Sequence, residues 1–376
     1  MGLTKKLERR GKRFLVSVAS RWVRTAPMSP EEVRAANPER ILVVRQQNQM
    51  GDQLLAIPAY RAIKESVRGV ELGVVTAPIN RDVLLGNPYV DRVFTYNNRD
   101  LAGTIRMIRD IRRVRYDLVI VLHTVSFSFT SALIGLLSGS RIRVGSTSDP
   151  FGHDLSEAFY NLELPLPGAS ELAGMNEAEH NIYPLRVLGI DTRDLSPVIV
   201  PGPASESFAR EFIARTTKAG RKRIVVHPGA GKAANVWPPS NFAEVANRLR
   251  DRIEFDLCVV RGPRDARAVE EFGRAVRAPY ALLEGRPISD VAAVLRASDL
   301  VLCNDTGIMH VSSAVGAVTL AVFGPTDPVR WAPRSANLSV IRAPGGDLRE
   351  LRPDSVLEKA LLLLGLVDRA EGDLQG

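Results

Sequence analysis

Short apolar runs alternate with longer amphipathic stretches along most of this chain. Apolar runs bounded by turn residues predict strands buried on both faces, and apolar residues at helical spacing predict helices. The predicted strands are residues 41–45, 71–76, 92–96, 118–122, 142–145, 223–227, 256–260, 281–283, 300–303, 318–323 and 338–342. The predicted helices are residues 52–68, 101–113, 126–137, 177–188, 241–252, 266–276, 288–297, 309–316 and 354–366. This rhythm is typical of parallel sheets covered by helices.

The alternation is interrupted once, and the interruption predicts a domain boundary. Residues 147–179 are rich in Pro, Gly and small polar residues, and residues 191–203 contain three prolines, which is typical of an extended linker. A chain of 376 residues is also long for a single core. We therefore predict an α/β protein with two Rossmann-like domains facing a cleft, at residues 38–190 and 204–353. The remaining parts are a basic segment at residues 1–30 and a C-terminal helix and tail at residues 354–376.

The composition is that of an ordinary globular protein, with 45% hydrophobic and 24% charged residues. Cys258 and Cys303 lie inside apolar runs, which predicts buried thiols in a reducing compartment rather than a disulfide or a metal pair. The five histidines lack the spacing of a zinc site. No apolar run reaches the length of a membrane-spanning helix.

The net charge of +8 is concentrated at the N-terminus. Residues 1–24 contain eight basic residues and one acidic residue, so the rest of the chain is nearly neutral and a nucleic-acid partner is not expected. In the same segment Leu7, Phe14, Val18 and Trp22 follow helical spacing. This basic amphipathic pattern predicts that residues 1–24 contact an anionic membrane surface, and the alternative is a solvated tail.

Chemistry-bearing residues follow the predicted strands directly. Met50-Gly51-Asp52 follows the first strand, and Asp52 is suited either to capping the next helix or to acting as a general base; its position alone favours the cap. No G-x-G-x-x-G accompanies it, which argues against a dinucleotide cofactor.

A second motif, His227-Pro228-Gly229-Ala230-Gly231-Lys232, follows the first strand of the second half. Its glycines expose backbone N–H groups beside the Lys232 cation, as a diphosphate site requires, although His227 also suits a simple strand end.

A third motif follows the strand at residues 300–303. Asp305-Thr306-Gly307 forms a turn before a helix that contains His310, and helix N-termini bind anions well. Capping by Asp305 or Thr306 is the alternative. A further turn contains Thr326 and Asp327, which either cap or line the same site.

Taken in order, these motifs resemble the heptosyltransferases of glycosyltransferase family nine, which build the lipopolysaccharide core. The resemblance covers the chain from residue 41 to about residue 333 and is strongest over residues 288–328. The matching segments are Met50–Asp52, His227–Ala230, Trp237–Pro239, Asp305–His310 and Phe323–Pro328.

The resemblance implies a two-domain GT-B enzyme of the bacterial cytoplasm, peripheral at the inner face of the inner membrane. It implies an inverting transfer without metal or other cofactor, from a nucleotide-sugar donor, ADP-heptose, to a lipid-linked glycan acceptor. Asp52 matches the family's general base, which overrides the preference for a cap. The expected donor-binding residues are His227, Gly229, Lys232, Asp265, Asp305, Thr306, Gly307, His310 and Thr326, with Asp265 assigned to the ribose.

One position departs from the family pattern. Members usually carry a lysine two residues before the Trp-Pro pair, and this chain has Asn235 there, with Lys232 as the nearest lysine. Either Lys232 reaches the donor phosphates instead, or the donor differs, or activity is weakened. Two alternative functions stay open: a GT-B transferase that uses another nucleotide sugar, and, because a fold does not fix a function, a non-catalytic nucleotide-sugar-binding protein at the membrane surface.

Overall fold

The computed structural model describes residues 25–123, 127–146 and 158–367, so the predicted membrane segment at residues 1–24 and the end of the C-terminal tail lie outside the described residues. The chain divides into two compact units. The first consists of residues up to 48, residues 58–81 and residues 88–194. The second consists of residues 49–57 and 82–87 together with the chain from residue 195 onward. Residues 49–57 fall inside the predicted domain 38–190 but pack with the second unit.

The first unit is a six-stranded parallel sheet with helices around it. Its strands are β1 (Arg40–Val44), β2 (Glu71–Thr76), β3 (Arg92–Thr95), β4 (Leu118–Val121), β5 (Ile142–Ser146) and β6 (Leu162–Leu164), in the order β3-β2-β1-β4-β5-β6. Its helices are α1 (Pro30–Ala35), α3 (Ile57–Ser66), α4 (Leu101–Val114), α5 (Phe129–Leu137), α6 (Ala169–Leu172) and α7 (Glu177–Ile182). Strand β1 pairs with β2 and β4, and its residues Ile41 to Val44 are fully buried, as its apolar run predicts.

The second unit repeats this topology. Its strands are β7 (Lys222–His227), β8 (Phe255–Arg261), β9 (Tyr280–Glu284), β10 (Leu300–Asn304), β11 (Thr319–Phe323) and β12 (Leu338–Arg342), in the order β12-β11-β10-β7-β8-β9. Its helices are α2 (Met50–Leu54), α8 (Pro203–Thr216), α9 (Pro239–Arg250), α10 (Ala266–Ala275), α11 (Ile288–Arg296), α12 (Gly307–Ala314), α13 (Pro328–Trp331) and α14 (Pro353–Leu363). Counted from β7, the strand order is the same 3-2-1-4-5-6 arrangement as in the first unit, which is the doubly wound Rossmann order. The prediction of two Rossmann-like α/β units is confirmed.

Several elements differ from the predictions. The predicted helix 52–68 is two helices, α2 and α3, with the break before Pro58, because a proline has no N–H to donate and is accommodated only in a first turn. Residues 191–202 form no strand or helix. Helix α8, which was not predicted, begins at Pro203, where the same property makes proline a good first residue. Strand β6 was not predicted; it has only three residues and is specified by pairing with β5.

The core of each unit lies between its sheet and its helices. In the second unit Trp237, Phe242, Phe255 and Phe272 are fully buried beneath the sheet residues, and Trp237 packs edge-on against Phe242 at 4.8 Å between ring centroids. Cys258 and Cys303 are free and buried, as predicted. Within the described residues no helix is both long and apolar enough to cross a membrane.

Candidate active site

The second sheet reverses its strand order between β7 and β10, and ligands of such sheets bind beyond the carboxyl ends of the strands at this switch point. The two strands run in parallel register, with Cys303 opposite His227, so the loops that follow them emerge side by side. The loop after β7 is His227–Lys232, and the turn after β10 is Asp305–Gly307. The topology therefore brings two predicted motifs, about 75 residues apart in sequence, to one edge of one sheet.

Asn304 links the two loops. This fully buried residue ends β10, and its Nδ2 donates to the carbonyl oxygens of Pro228 at 3.0 Å and Gly229 at 3.1 Å. Its Oδ1 accepts from the backbone N–H of Trp237 at 2.9 Å. Both polar atoms of the amide are thus used to hold the glycine loop and the Trp-Pro segment against the end of β10. The sequence analysis missed Asn304; a polar residue ending an otherwise apolar buried strand was the available signal.

Asp305 lies in a network of neutral donors. Its Oδ2 accepts from Thr326 Oγ1 at 2.6 Å and from Asn235 Nδ2 at 2.9 Å. Burial raises the pKa of Asp305, while the Thr326 hydrogen bond and the nearby Lys232 charge act in the opposite direction. Asn235, at the position where the family pattern has lysine, therefore serves as a hydrogen-bond donor to Asp305. The same donor reaches the Asp305 backbone oxygen at 3.4 Å.

Neither Asp305 nor Thr306 caps helix α12 through its side chain. Thr306 is the N-cap residue, but its hydroxyl makes no capping hydrogen bond, and the Asp305 carboxylate is bonded to Thr326 and Asn235. The capping alternative is therefore wrong for both residues. By contrast, Asp327 is a cap: it accepts from the Val329 N–H at 3.0 Å at the start of α13. At the start of α12 the Met309 N–H donates to the Thr306 carbonyl oxygen at 3.0 Å, and the N–H groups of Gly307 and Ile308 are the ones that such a helix start offers to an anion.

The start of the glycine loop is closed by Asp265. A Cβ on Gly229 would lie 2.2 Å from Asp265 Oδ1, and one on Gly262 would lie 2.6 Å from Asp265 Oδ2, so this carboxylate fits only between two glycines. Asp265 Oδ2 also accepts from the Gly262 N–H at 2.8 Å. Only 8% of Asp265 is exposed.

His227 is held by the next strand. Its Nδ1 lies 3.1 Å from the Val260 carbonyl oxygen, which can only accept, so Nδ1 carries the proton. Its Nε2 lies 3.8 Å from Asp265 Oδ2. Burial lowers the pKa of His227 against the opposing effects of Asp265 and the Val260 carbonyl, so the ring is neutral near pH 7.

Two exposed cations lie along the end of the glycine loop. Lys232 is exposed, and its charge acts on Asp305. Arg264 lies beside Gly231, with Nη2 at 3.5 Å from the position of a Cβ there. These long side chains can approach an anion at the loop without first leaving a buried position.

The predicted base lies on the short helix α2. Asp52 is the third residue of this helix and is half-buried; the N-cap is Gln49, so the alternative that Asp52 is the N-cap residue is wrong. A carboxylate in a first turn is favoured by the helix dipole. Helix α2 packs on α12: a Cβ on Gly51 would lie only 2.8 Å from His310 Nε2, and one on Gly307 would lie 3.9 Å from the Met50 Cβ.

His310 occupies the contact between α2 and α12. The residue is 95% buried, its Nδ1 has no hydrogen-bond partner, and burial lowers its pKa to about 4. His310 is therefore a neutral ring packed against the glycine that precedes Asp52. Because residues 49–57 cluster with the second unit, all ten predicted site residues belong to that unit. Among the described residues no group of three or more His, Cys, Asp or Glu could hold a metal ion.

A doubly wound unit with a glycine loop, a helix N-terminus and nearby carboxylates at its switch point has the architecture of the nucleotide-binding class of α/β proteins. Known proteins agree with this class. The sequence model of glycosyltransferase family 9 (heptosyltransferase) matches residues 104–361. The chain therefore belongs to glycosyltransferase family 9, and it is a glycosyltransferase.

Individual relatives are distant but similar along nearly their whole length. Lipopolysaccharide heptosyltransferase 3 of Escherichia coli is 23% identical over 331 residues, which are 85% of this chain and 94% of the relative. The family 9 glycosyltransferase of Veillonella parvula superposes with a TM-score of 0.74 at 20% identity, over 88% of this chain and 98% of that chain. Escherichia coli heptosyltransferase WaaC, whose structure was solved with ADP, superposes with a TM-score of 0.68 at 20% identity, over 86% of this chain and 99% of that chain.

Proposed function

We propose that this protein transfers heptose from ADP-heptose to the core glycan of lipopolysaccharide, with inversion at the anomeric carbon and Asp52 as the general base. The observation that carries the proposal is the clustering of Asp52 with the Asp305–His310 segment and the His227–Lys232 loop in one unit. The donor is further supported by a family structure solved with ADP, and the acceptor by the names of the relatives. Residues of the first unit are assigned to the acceptor on resemblance alone.

The reaction is a single displacement. An acceptor hydroxyl oxygen forms a bond to the anomeric carbon while the bond from that carbon to the diphosphate oxygen breaks, and the hydroxyl proton moves to the Asp52 carboxylate. The electron pair of the breaking bond leaves with ADP. The transition state resembles an oxocarbenium ion, and because the hydroxyl attacks the face opposite the departing diphosphate, the configuration is inverted.

Negative charge develops on the departing diphosphate, and the described residues supply groups that stabilise it. The start of α12 and the Gly229–Gly231 loop follow the ends of β10 and β7 and carry backbone N–H groups suited to an anion, and the exposed Lys232 adds a positive charge. Burial raises the pKa of Asp305, and its carboxyl is held beside these groups by hydrogen bonds from two neutral donors, Thr326 and Asn235. Asp265 lies against Gly229 of the loop, and His227 is anchored to the Val260 carbonyl of the next strand.

The test of the base is Asp52→Asn. We expect kcat to fall by about 10²–10⁴ while ADP affinity changes little, because the amide is similar in shape but cannot take a proton. Asp354→Asn is the matched control, an aspartate in the first turn of α14 whose partner is Arg248. An Asp52→Asn enzyme with normal turnover removes Asp52 from this role. The anomeric configuration of the product, read by NMR, tests inversion separately.

The test of the loop cation uses Lys232 and Asn235 together. Lys232→Met should weaken ADP binding by about tenfold or more, because one charge-assisted contact to the diphosphate is lost. Asn235→Lys places a second cation beside Asp305, so in that background the loss from Lys232→Met should be smaller. No loss of ADP affinity from Lys232→Met in the native background contradicts the role of Lys232 at the diphosphate, and equal losses in both backgrounds contradict the substitution of one cation for the other.

Because Asn235 stands where the family pattern has lysine, sugar transfer from a different nucleotide-sugar donor is the second candidate function. Calorimetry with ADP, UDP and GDP, each with and without magnesium, separates the two. Preference for ADP in the absence of magnesium supports ADP-heptose, whereas preference for UDP or GDP keeps the transferase and rejects the heptose donor. Failure to bind any of the three favours a non-catalytic protein. The cytoplasmic location, and the contact of residues 1–24 with the inner face of the inner membrane, belong to the same proposal.

A further inference from the structure

Helix α4 of the first unit exposes apolar side chains to solvent. Its inward face packs Met107 and Ile111 into the core. On the outward face Leu101 is 75% exposed and Ile105 is 62% exposed, and these are the two most exposed large apolar side chains of the described residues. They lie four residues apart, one turn above the other, so they form one apolar strip along the helix.

The same face is strongly basic. Arg106, Arg109, Arg112 and Arg113 are all exposed on this helix, and Arg115 follows at its end. Two carboxylates oppose them: Asp100 lies 3.8 Å from Arg106, and Asp110 lies 3.0 Å from Arg113 and 3.9 Å from Arg109. Five arginines against two aspartates leave three uncompensated positive charges over residues 100–115.

An ordinary surface helix of this protein differs in both respects. Helix α10 exposes Arg267, Glu270, Glu271 and Arg274, and Arg274 pairs with Glu270, so its outer face has mixed charge and no large aliphatic side chain. The exposed aliphatic strip and the arginines of α4 therefore need a separate explanation.

We propose that the outward face of α4 docks on an anionic lipid surface, with Leu101 and Ile105 entering the headgroup–acyl boundary and the arginines contacting lipid phosphates. Exposed aliphatic residues flanked by basic residues on one helix face are the features of a helix that lies in a membrane interface. The basic residues attract the surface, and burial of the aliphatic side chains makes the contact persist. The inference adds a site to the membrane contact proposed for residues 1–24 and is independent of the transfer chemistry.

The test uses a fluorescent label at one position of the full chain. Both native cysteines are buried, and burial raises the pKa of Cys258 to about 12, so an introduced surface thiol reacts selectively. The Ile105→Cys variant, labelled with an environment-sensitive dye, is mixed with phosphatidylglycerol vesicles and with phosphatidylcholine vesicles. The Arg274→Cys variant is the matched control, because Arg274 lies on α10 and its side chain is 75% exposed.

We expect the label at position 105 to shift to the blue and brighten several-fold with phosphatidylglycerol only, and to be quenched by brominated acyl chains. The label at position 274 should stay unchanged. We also expect Ile105→Ser to lower vesicle partitioning by about tenfold. Val200→Ser, which removes an aliphatic side chain that is 43% exposed outside α4, should change partitioning less than about twofold.

Three outcomes overturn the inference. If the protein sediments with the vesicles and the label at position 105 does not respond, α4 faces away from the lipid and the contact of residues 1–24 alone survives. If the protein does not sediment with anionic vesicles, both contacts fail, and ADP binding measured on the same sample still tests the transferase. If the label at position 105 responds to protein concentration without vesicles, the face binds a second copy of the chain instead.

Discussion

Gly51→Ala tests the packing that positions the proposed base. A Cβ at residue 51 lies 2.8 Å from Nε2 and 2.9 Å from Cδ2 of His310. Relaxed contacts between such atoms are about 3.5–4.0 Å, so the ring and helix α2 must separate by roughly 0.7 Å. His310 is buried in α12 and has little room to yield.

The expected magnitude combines two opposing effects. Overpacking beside a buried ring costs about 1–3 kcal/mol, and alanine in a helix is favoured over glycine by about 0.5–1 kcal/mol, which leaves a net loss of roughly 0.5–2 kcal/mol in unfolding free energy. The displaced helix carries Asp52. Because a misplacement of about 1 Å at a reacting group costs up to roughly 100-fold, we expect kcat to fall by about tenfold or more.

The assay measures kcat with the heptose donor, ADP affinity by calorimetry, and unfolding by urea. Gly202→Ala is the control: its φ is −72° and no atom lies within 4 Å of its Cβ, so as an N-cap change it should cost about 0.5–1 kcal/mol of stability without lowering kcat. Combining Gly51→Ala with His310→Ala removes the clash, so the stability losses should be sub-additive by about 1 kcal/mol or more. The reasoning is refuted if Gly51→Ala behaves like Gly202→Ala, or if the double variant is additive.

Two further predictions concern buried polar groups. Asn304→Asp should lower the free energy of unfolding in urea by about 3–5 kcal/mol and weaken ADP binding, because a buried carboxylate would face the Pro228 and Gly229 carbonyls. The control is Asn337→Asp at an exposed position, which should lower it by less than about 1 kcal/mol. Burial gives His310 a pKa of about 4 in the folded protein, whereas in the unfolded chain it titrates near 6.5, so between these values only the unfolded chain binds the proton. The contribution of neutral His310 to the free energy of unfolding, about 3 kcal/mol, is therefore fully present above pH 6.5 and is lost as the pH falls towards 4. His310→Gln should make the stability-versus-pH curve shallower in that window by up to about 1.4 kcal/mol per pH unit, and an unchanged slope would contradict the assignment.

Much of the architecture and of the candidate site follows from local sequence. Apolar runs such as Ile41–Val44 and Leu300–Cys303 are long enough to specify buried parallel strands, so every strand except β6 was predicted within a residue or two. The strand-end motifs are also local, since a glycine loop or a polar turn after an apolar run has chemical meaning in isolation. These motifs located the candidate loops from sequence, whereas the assignment of individual donor-binding residues came from the family resemblance.

The roles of individual residues depended on contacts that are distant in sequence. Whether Asp305 caps a helix or accepts from Thr326 and Asn235 depends on three separate loops. The pairing of β5 with three residues of β6, and the association of residues 49–57 with the second unit, likewise have no local signature.

The sequence by itself determined the periodicity of the chain, and hence its strands, its helices and the loops that carry chemistry, because these depend on neighbours within a few residues. The tertiary structure alone decided which loops meet. Only the strand order of the second sheet places His227 beside Asn304, and only the packing of α2 on α12 sets His310 against Gly51. Burial then determines the charge state of each group, because desolvation depends on every surrounding atom and not on the local sequence.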